Sequence, residues 1–288
     1  MKKKRIAIVP ARAGSVRIKN KNIKNFHGSP LILNCLKQIK KTKLFDKIHV
    51  STDSNKIAKI TSGFSSADLA NLINEAAINA TKADKAAIDM QDFELAKDRM
   101  ILGIKRHSVV LSDSEKQITA YHEAGHTLVG FYTPGHDPIY KVTISPRGPS
   151  LGHTSFEPQE DYNLYTRPYL EAKIASSLAG RMAEELIFGK GAITTGAEGD
   201  LRAATSIATH MVTKWGFSEK VGLIYVDDND NLMSKDLVRE EVQSIINKAN
   251  SKARTLLELH MDKLHQLAKT LEAEETLDQS QIKAILTP

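Results

Sequence analysis

The hydrophobic pattern changes period partway along this chain, and the change divides it. Residues 5–9 (RIAIV) form a short apolar run that predicts a buried strand. Leu31, Leu33, Leu36 and Ile39 predict a helix over about 30–41, and residues 47–51 predict a second strand. Strand, helix and strand in that order predict a β-α-β unit, the opening of a Rossmann-like sheet cut short. From about Thr61 the period becomes helical. Leu69, Leu72, Ile73, Ala76 and Ala77 share one face, and a second helix follows over IDMQDFELAKDRMI. Ile118, Tyr121, Leu128 and Val129 predict a helix over 114–131. Ser112 or Ser114 can cap it; Ser114 stands three residues before Gln117, a capping-box spacing. Pro134-Gly135 closes it.

Residues 140–147 alternate polar and apolar, which predicts a strand whose edge could receive an extended peptide. Residues 222–228 read as a further strand and turn, and Trp215 and Phe217 as core. Val238, Val242, Ile245 and Ile246, then Leu256, Leu257, Leu264 and Leu267, predict two amphipathic helices near the end. The expected fold class is therefore mainly α with a small sheet, preceded by a truncated β-α-β segment.

Composition changes this picture little. The 288 residues are 41% hydrophobic and 26% charged, as in an ordinary globular protein. A single cysteine, Cys35, excludes an internal disulfide framework. The longest apolar runs fall far short of the ~20 residues that cross a bilayer, so no membrane segment and a cytoplasmic location are expected. Charge placement is more telling. Residues 1–60 hold 16 Lys/Arg against Asp46 and Asp53 alone, leaving 24 basic and 32 acidic residues in the rest. No aromatic stripe accompanies the basic arm, so no nucleic-acid partner is expected.

The candidate chemistry lies at His122-Glu123-Ala124-Gly125-His126. Positions i and i+4 share a helix face, so two imidazoles can grip one metal ion. Glu123 between them is placed as a general base. The same five residues could otherwise be two surface histidines and a solvated glutamate. A catalytic zinc takes three protein ligands, and a carboxylate is the better third. Glu184, in AGRMAEELIFG, and Asp200, in TTGAEGDLRAAT, are the candidates. The plainer readings are a solvated helix glutamate and a helix N-cap. His153 lies in a strand–loop segment nearby. The loop PARAGSVRIKNKN after the first strand combines glycine, hydroxyl and cations, as a phosphate cradle does.

Two resemblances sharpen these readings. IAIVPARAGSVRIKNKNI, HGSPLI and VSTDSNKIA resemble the start of CMP-acylneuraminate synthetases, cytidylyltransferases that activate sialic acids. The likeness implies CTP phosphates near Arg12, Gly14, Ser15, Lys21 and Asn22. Val16 departs from it, standing where these enzymes usually carry a lysine, and no sugar pocket follows. From about residue 61 the chain resembles the C-terminal part of FtsH, the ATP-dependent zinc metalloprotease. GFSSADLANLINEAA and DFELAKDRMILGIKR resemble its AAA lid; SDSEKQITAYHEAGHTLVGFYTPGHDPIYKVTISPRG, LEAKIASSLAGRMAEELIFG and ITTGAEGDLRAATSIATHMVTKWGFSEKVG resemble its peptidase domain. That likeness implies zinc on His122, His126 and Asp200, Glu184 supporting a ligand imidazole, unfolded protein substrates, and a hexameric homo-oligomer. It also implies membrane anchoring of the full-length family with this domain on the cytoplasmic side. ATP serves the intact family, but no GxxxxGK[ST] sequence occurs here. The expected organisation is a chimera: a cytidylyltransferase-like segment over 1–60, a lid-like segment over 61–106 and a metallopeptidase domain over 107–288. The expected activity is zinc-dependent endopeptidase. The alternatives are cytidylyl transfer by the first segment and an inactive chimera.

Overall fold

A computed structural model describes residues 6–10, 25–26, 29–30, 47–51 and 64–287, the last apart from 86–87, 105, 107–108, 110, 148–149, 159–163 and 228–233. The chain divides into two compact units, Met1–Ile104 and Lys105–Pro288. In the first, β1 (Ile6–Pro10) pairs in parallel with β4 (Lys47–Ser51), Ile6 opposite Lys47. The two strands of the expected β-α-β unit are thus present and parallel, and the connection between them over 31–46 lies outside the described residues. The helix expected over 30–41 lies outside the described residues from 31 on, as do Arg12, Gly14, Ser15, Lys21 and Asn22. A small antiparallel pair, β2 (Asn25–Phe26) with β3 (Ser29–Pro30), was not predicted.

The same unit holds a helix pair, α1 (Ser66–Lys82) and α2 (Met90–Leu102). Each begins with a capping box, Ser65 with Asp68 and Asp89 with Asp92, so the first free N–H groups of both helices are satisfied. Leu72, Ala76 and Ala80 meet Ile88, Phe93 and Ala96 in a closed apolar cluster. Lys85 bridges Asp89 and the buried Asp92 at 2.9 and 3.0 Å, which pins the connecting turn.

The second unit is built on α3 (Asp113–Tyr132). Its cap is Ser112, whose hydroxyl accepts from Glu115 N while Glu115 accepts from Ser112 N. Ser112 therefore prevails over Ser114, and Glu115 places a negative charge in the first turn, where the helix dipole favours it. The helix α4 (Arg167–Phe188) packs along α3, followed by α5 (Glu198–Thr213), α6 (Lys235–Leu259), α7 (Met261–Glu274) and α8 (Gln279–Leu286). Their shared core includes Ala124 and Leu128, Ile174 and Met182, Leu257, Leu264 and Leu271, all buried. Leu256 and Leu257 sit on α6, since the break between the last long helices falls at His260.

A three-stranded antiparallel sheet flanks α3 in the order β6 (His153–Phe156), β5 (Ile139–Thr143), β7 (Thr276–Asp278). Val142 pairs with Thr154 on one side and Leu277 on the other. This corrects the expectation for residues 140–147: among the described residues β5 is central and has no free edge, and the edge strands are β6 and β7. Two further expectations fail. Trp215 is 45% exposed rather than core, and residues 222–227 form no strand. Among the described residues no helix is long and apolar enough to cross a membrane.

Candidate metal centre

The crossing of α3 and α4 carries the site, and small residues make the crossing close. A Cβ on Gly125 would lie 2.5 Å from the carbonyl oxygen of Ala179 and 2.8 Å from Ala183 Cβ. A Cβ on Gly180 would lie 2.5 Å from Nε2 of both His122 and His126. Glycine at 180 thus leaves the space in front of the two imidazoles open. Both histidines and Glu123 are buried, on the first fully enclosed turns of α3.

Each ring nitrogen facing away from that space has an acceptor. His126 Nδ1 donates to the Ser176 carbonyl at 2.7 Å, and His122 Nδ1 donates to Glu184 Oε1 at 2.6 Å. A carbonyl can only accept, and an ionised carboxylate likewise, so Nδ1 carries the proton in both rings. The Nε2 lone pairs are left to point at one place. Asp200, from the first turn of α5, closes the set. Its Oδ2 lies 3.2 Å from His122 Nε2 and 3.4 Å from His126 Nε2, and the two Nε2 atoms are 3.0 Å apart. Tetrahedral zinc with bonds of roughly 2.0–2.1 Å spaces its ligand atoms by about 3.3 Å, so the triangle fits that ion. Among the described residues His122, His126 and Asp200 are the group of this kind.

The electrostatics agree. Burial alone would favour neutral His122, but the hydrogen bonds it makes to Asp200 and Glu184, with Glu123 close by, outweigh it and lift the imidazole to about 10, so these carboxylates favour a positive charge at Nε2, whether a proton or a metal ion in its place. Burial would raise Asp200, yet its bonds to His122 and His126 hold its carboxyl far below the usual range. Glu184 is also held low: burial opposes, and the bonds from His122 and the Thr194 amide prevail. The field at this point favours positive charge, as a cation site requires.

Of the two carboxylates left open by residue type, Asp200 joins the triangle. Glu184 stands behind His122, 1% exposed, and its Oε2 accepts from Thr194 N at 2.8 Å. That second bond ties down the turn leading to Asp200. Asp200 is not an N-cap; Ala197 holds that position. Glu123 is no part of the triangle. Its Oε2 accepts from Thr154 Oγ1 at 2.6 Å, and a Cβ on Gly152 would lie 2.7 Å from its Oε1. Thr154, Gly152, Gly180 and the Ser176 carbonyl were not foreseen. They reach their partners at the site from 29 to 58 residues away in sequence, and no local period marks such contacts.

Two imidazoles and a carboxylate converging beside a separate glutamate are the donor set of a metal-dependent hydrolase. A model of peptidase family M41 matches residues 109–285. The chain belongs to that family. It is 44% identical over 245 residues to the ATP-dependent zinc metalloprotease FtsH of Photobacterium profundum, covering 80% of this chain and 35% of that protein. To the FtsH proteins of Haemophilus influenzae and Buchnera aphidicola it is 43% identical over 249 residues and 45% over 245. Those matches cover 81% and 80% of this chain, and 39% and 40% of the relatives. The chain thus spans well under half the length of these relatives. A Cytidylyltransferase model matches residues 6–125, well past residue 60 and overlapping the peptidase match, in keeping with a chimera.

Proposed function

We propose that residues 107–288 are a zinc endopeptidase that cleaves unfolded protein chains, with His122, His126 and Asp200 as ligands and Glu123 as general base. The observation that carries this is the triangle of three ligand atoms, 3.0–3.4 Å on a side, next to a carboxylate that is not part of it. Zinc, when bound, acidifies water and polarises the scissile carbonyl. Glu123 takes the proton from the attacking water and returns it to the nitrogen of the departing amine. Glu184 and the Ser176 carbonyl keep both Nε2 lone pairs aimed at the metal. Among the described residues β6 has one partner strand, and its Thr154 touches Glu123. An extended peptide added to that edge would lie beside the base and be held mainly by backbone, as suits substrates without a fixed sequence.

The division of the chain between 104 and 105 supports a separate peptidase unit starting near residue 107; α1 and α2, which we read as the lid-like segment over 61–106, fall in the other unit. No GxxxxGK[ST] sequence occurs in the 288 residues, so cleavage by this chain needs no ATP. The test is casein digestion. The purified chain should cut casein at a rate that ATP leaves unchanged. Glu123→Gln should retain zinc and lose about 10²–10⁴-fold in rate. Cleavage by that variant at the wild-type rate would remove Glu123 from its role.

The match over 6–125 favours a second reading for the N-terminal part, a cytidylyltransferase. We expect no such activity, because Val16 stands where a phosphate-facing lysine is usual and a triphosphate needs several converging cations. Pyrophosphate released from CTP with a carboxylated sugar and Mg²⁺, above a no-enzyme control, would overturn this.

A further inference from the structure

The general base has a partner that the metal site does not explain. Glu123 is 6% exposed, and a glutamate has three side-chain torsions to settle. The histidines are each held by an acceptor on Nδ1, but nothing on α4 holds Glu123. Its constraint comes from the sheet. Thr154 Oγ1 lies 2.6 Å from Glu123 Oε2 and 3.2 Å from the backbone oxygen of the same residue. A carboxylate cannot donate, so the Thr154 hydroxyl does. The Thr127 hydroxyl, wholly buried one turn along α3, stands 3.5 Å behind Thr154 Oγ1. The backbone of Gly152 closes the other side, where a Cβ would meet Cγ and Oε1 at 2.7 Å. Oε1 has no hydrogen bond among the described residues, so one carboxylate oxygen is engaged and one is left to accept a proton.

We propose that Thr154 is a positioning residue for the general base: its hydroxyl holds Glu123 Oε2 and so presents Oε1 to the attacking water. The proposal rests on Glu123 being the base. It also links the edge strand to the chemistry, because Thr154 is paired with Val142 in the sheet register and cannot shift without moving β6. A hydroxyl is required and its methyl is not, so the conservative replacement is serine.

The experiment compares wild type with Thr154→Val, Thr154→Ser, Thr154→Ala and Glu123→Gln in the full chain. It reads zinc content, kcat and KM on an unstructured fluorogenic peptide, and folding by circular dichroism. Hydrogen bonds to a charged group are worth enough that Thr154→Val should lower kcat by about 10–100-fold. KM should stay within about twofold and zinc at the wild-type level. Thr154→Ser should recover kcat to within about threefold of wild type. Thr154→Ala removes the same hydroxyl without a second methyl and decides the matter if the valine variant does not fold. Wild-type kcat in Thr154→Val or Thr154→Ala, or serine as impaired as valine, would overturn the proposal. Wild-type kcat in Glu123→Gln would instead overturn the assignment of the base on which it rests.

Discussion

Two helix pairs of the chain, α1 with α2 and α3 with α4, solve the same packing problem in opposite ways. Between α1 and α2 the interface is filled: Leu72, Ile88 and Phe93 interlock with alanines, and the polar groups Lys85 and Asp92 pair at the turn. Between α3 and α4 the interface is emptied at one point. Gly125 lets the backbones touch, and Gly180 leaves two imidazoles facing open space. Buried polar groups normally cost stability unless each is bonded. Here His122, His126 and Glu123 are all buried, and each has a named partner in Glu184, the Ser176 carbonyl or Thr154. The first pair is a packing unit. The second gives up packing at its centre to hold groups whose remaining lone pairs need a cation.

That contrast can be broken from either side. The largest effect should come from adding one carbon. Gly180→Ala improves helix propensity by about 1 kcal/mol, yet its Cβ would fall 2.5 Å from both Nε2 atoms. A folded Gly180→Ala protein should bind no zinc and cut no casein, by metal analysis and peptidase assay. Retained zinc would mean the rings have room to retreat and the open point is incidental. Removing three carbons from the other pair should cost stability without function. Leu72, 1% exposed, should lose about 2–5 kcal/mol as Leu72→Ala, seen as faster hydrogen exchange across α1 and α2. Its zinc content and casein rate should equal those of wild type; a drop in either would show that the first pair serves the site.

The difference between the pairs also explains what could be read from sequence. The α3 motif is local: His122, Glu123 and His126 lie within two turns, so helical spacing alone aligns them. The turn TTGAEGD drew attention to Asp200 through family resemblance, while residue type alone left Glu184 equal to it. What separated the two carboxylates is which face of His122 each reaches, and that depends on the path of α4. Thr154 and Gly152 were invisible because they arrive on a strand whose pairing joins residues far apart. The edge was assigned to residues 140–147 because β7, three residues long and more than 130 further on, carries too little pattern to announce itself. Ser112 and Ser114 are equally good caps by type, and the choice fell to the carboxylate of Glu115. Trp215 is apolar by composition but stands on an exposed turn.

The most direct test of the central claim is zinc per chain, measured side by side in wild type, Asp200→Ala and Glu184→Gln after exhaustive dialysis against a defined zinc buffer. The distances around His122 predict one zinc in wild type and essentially none in Asp200→Ala. Glu184→Gln should weaken affinity by about 10–100-fold, the usual effect of removing a ligand's supporting carboxylate, and still fill at saturating zinc. A full complement of zinc in Asp200→Ala, with none in Glu184→Gln at any concentration, would show that the third ligand has been placed on the wrong carboxylate.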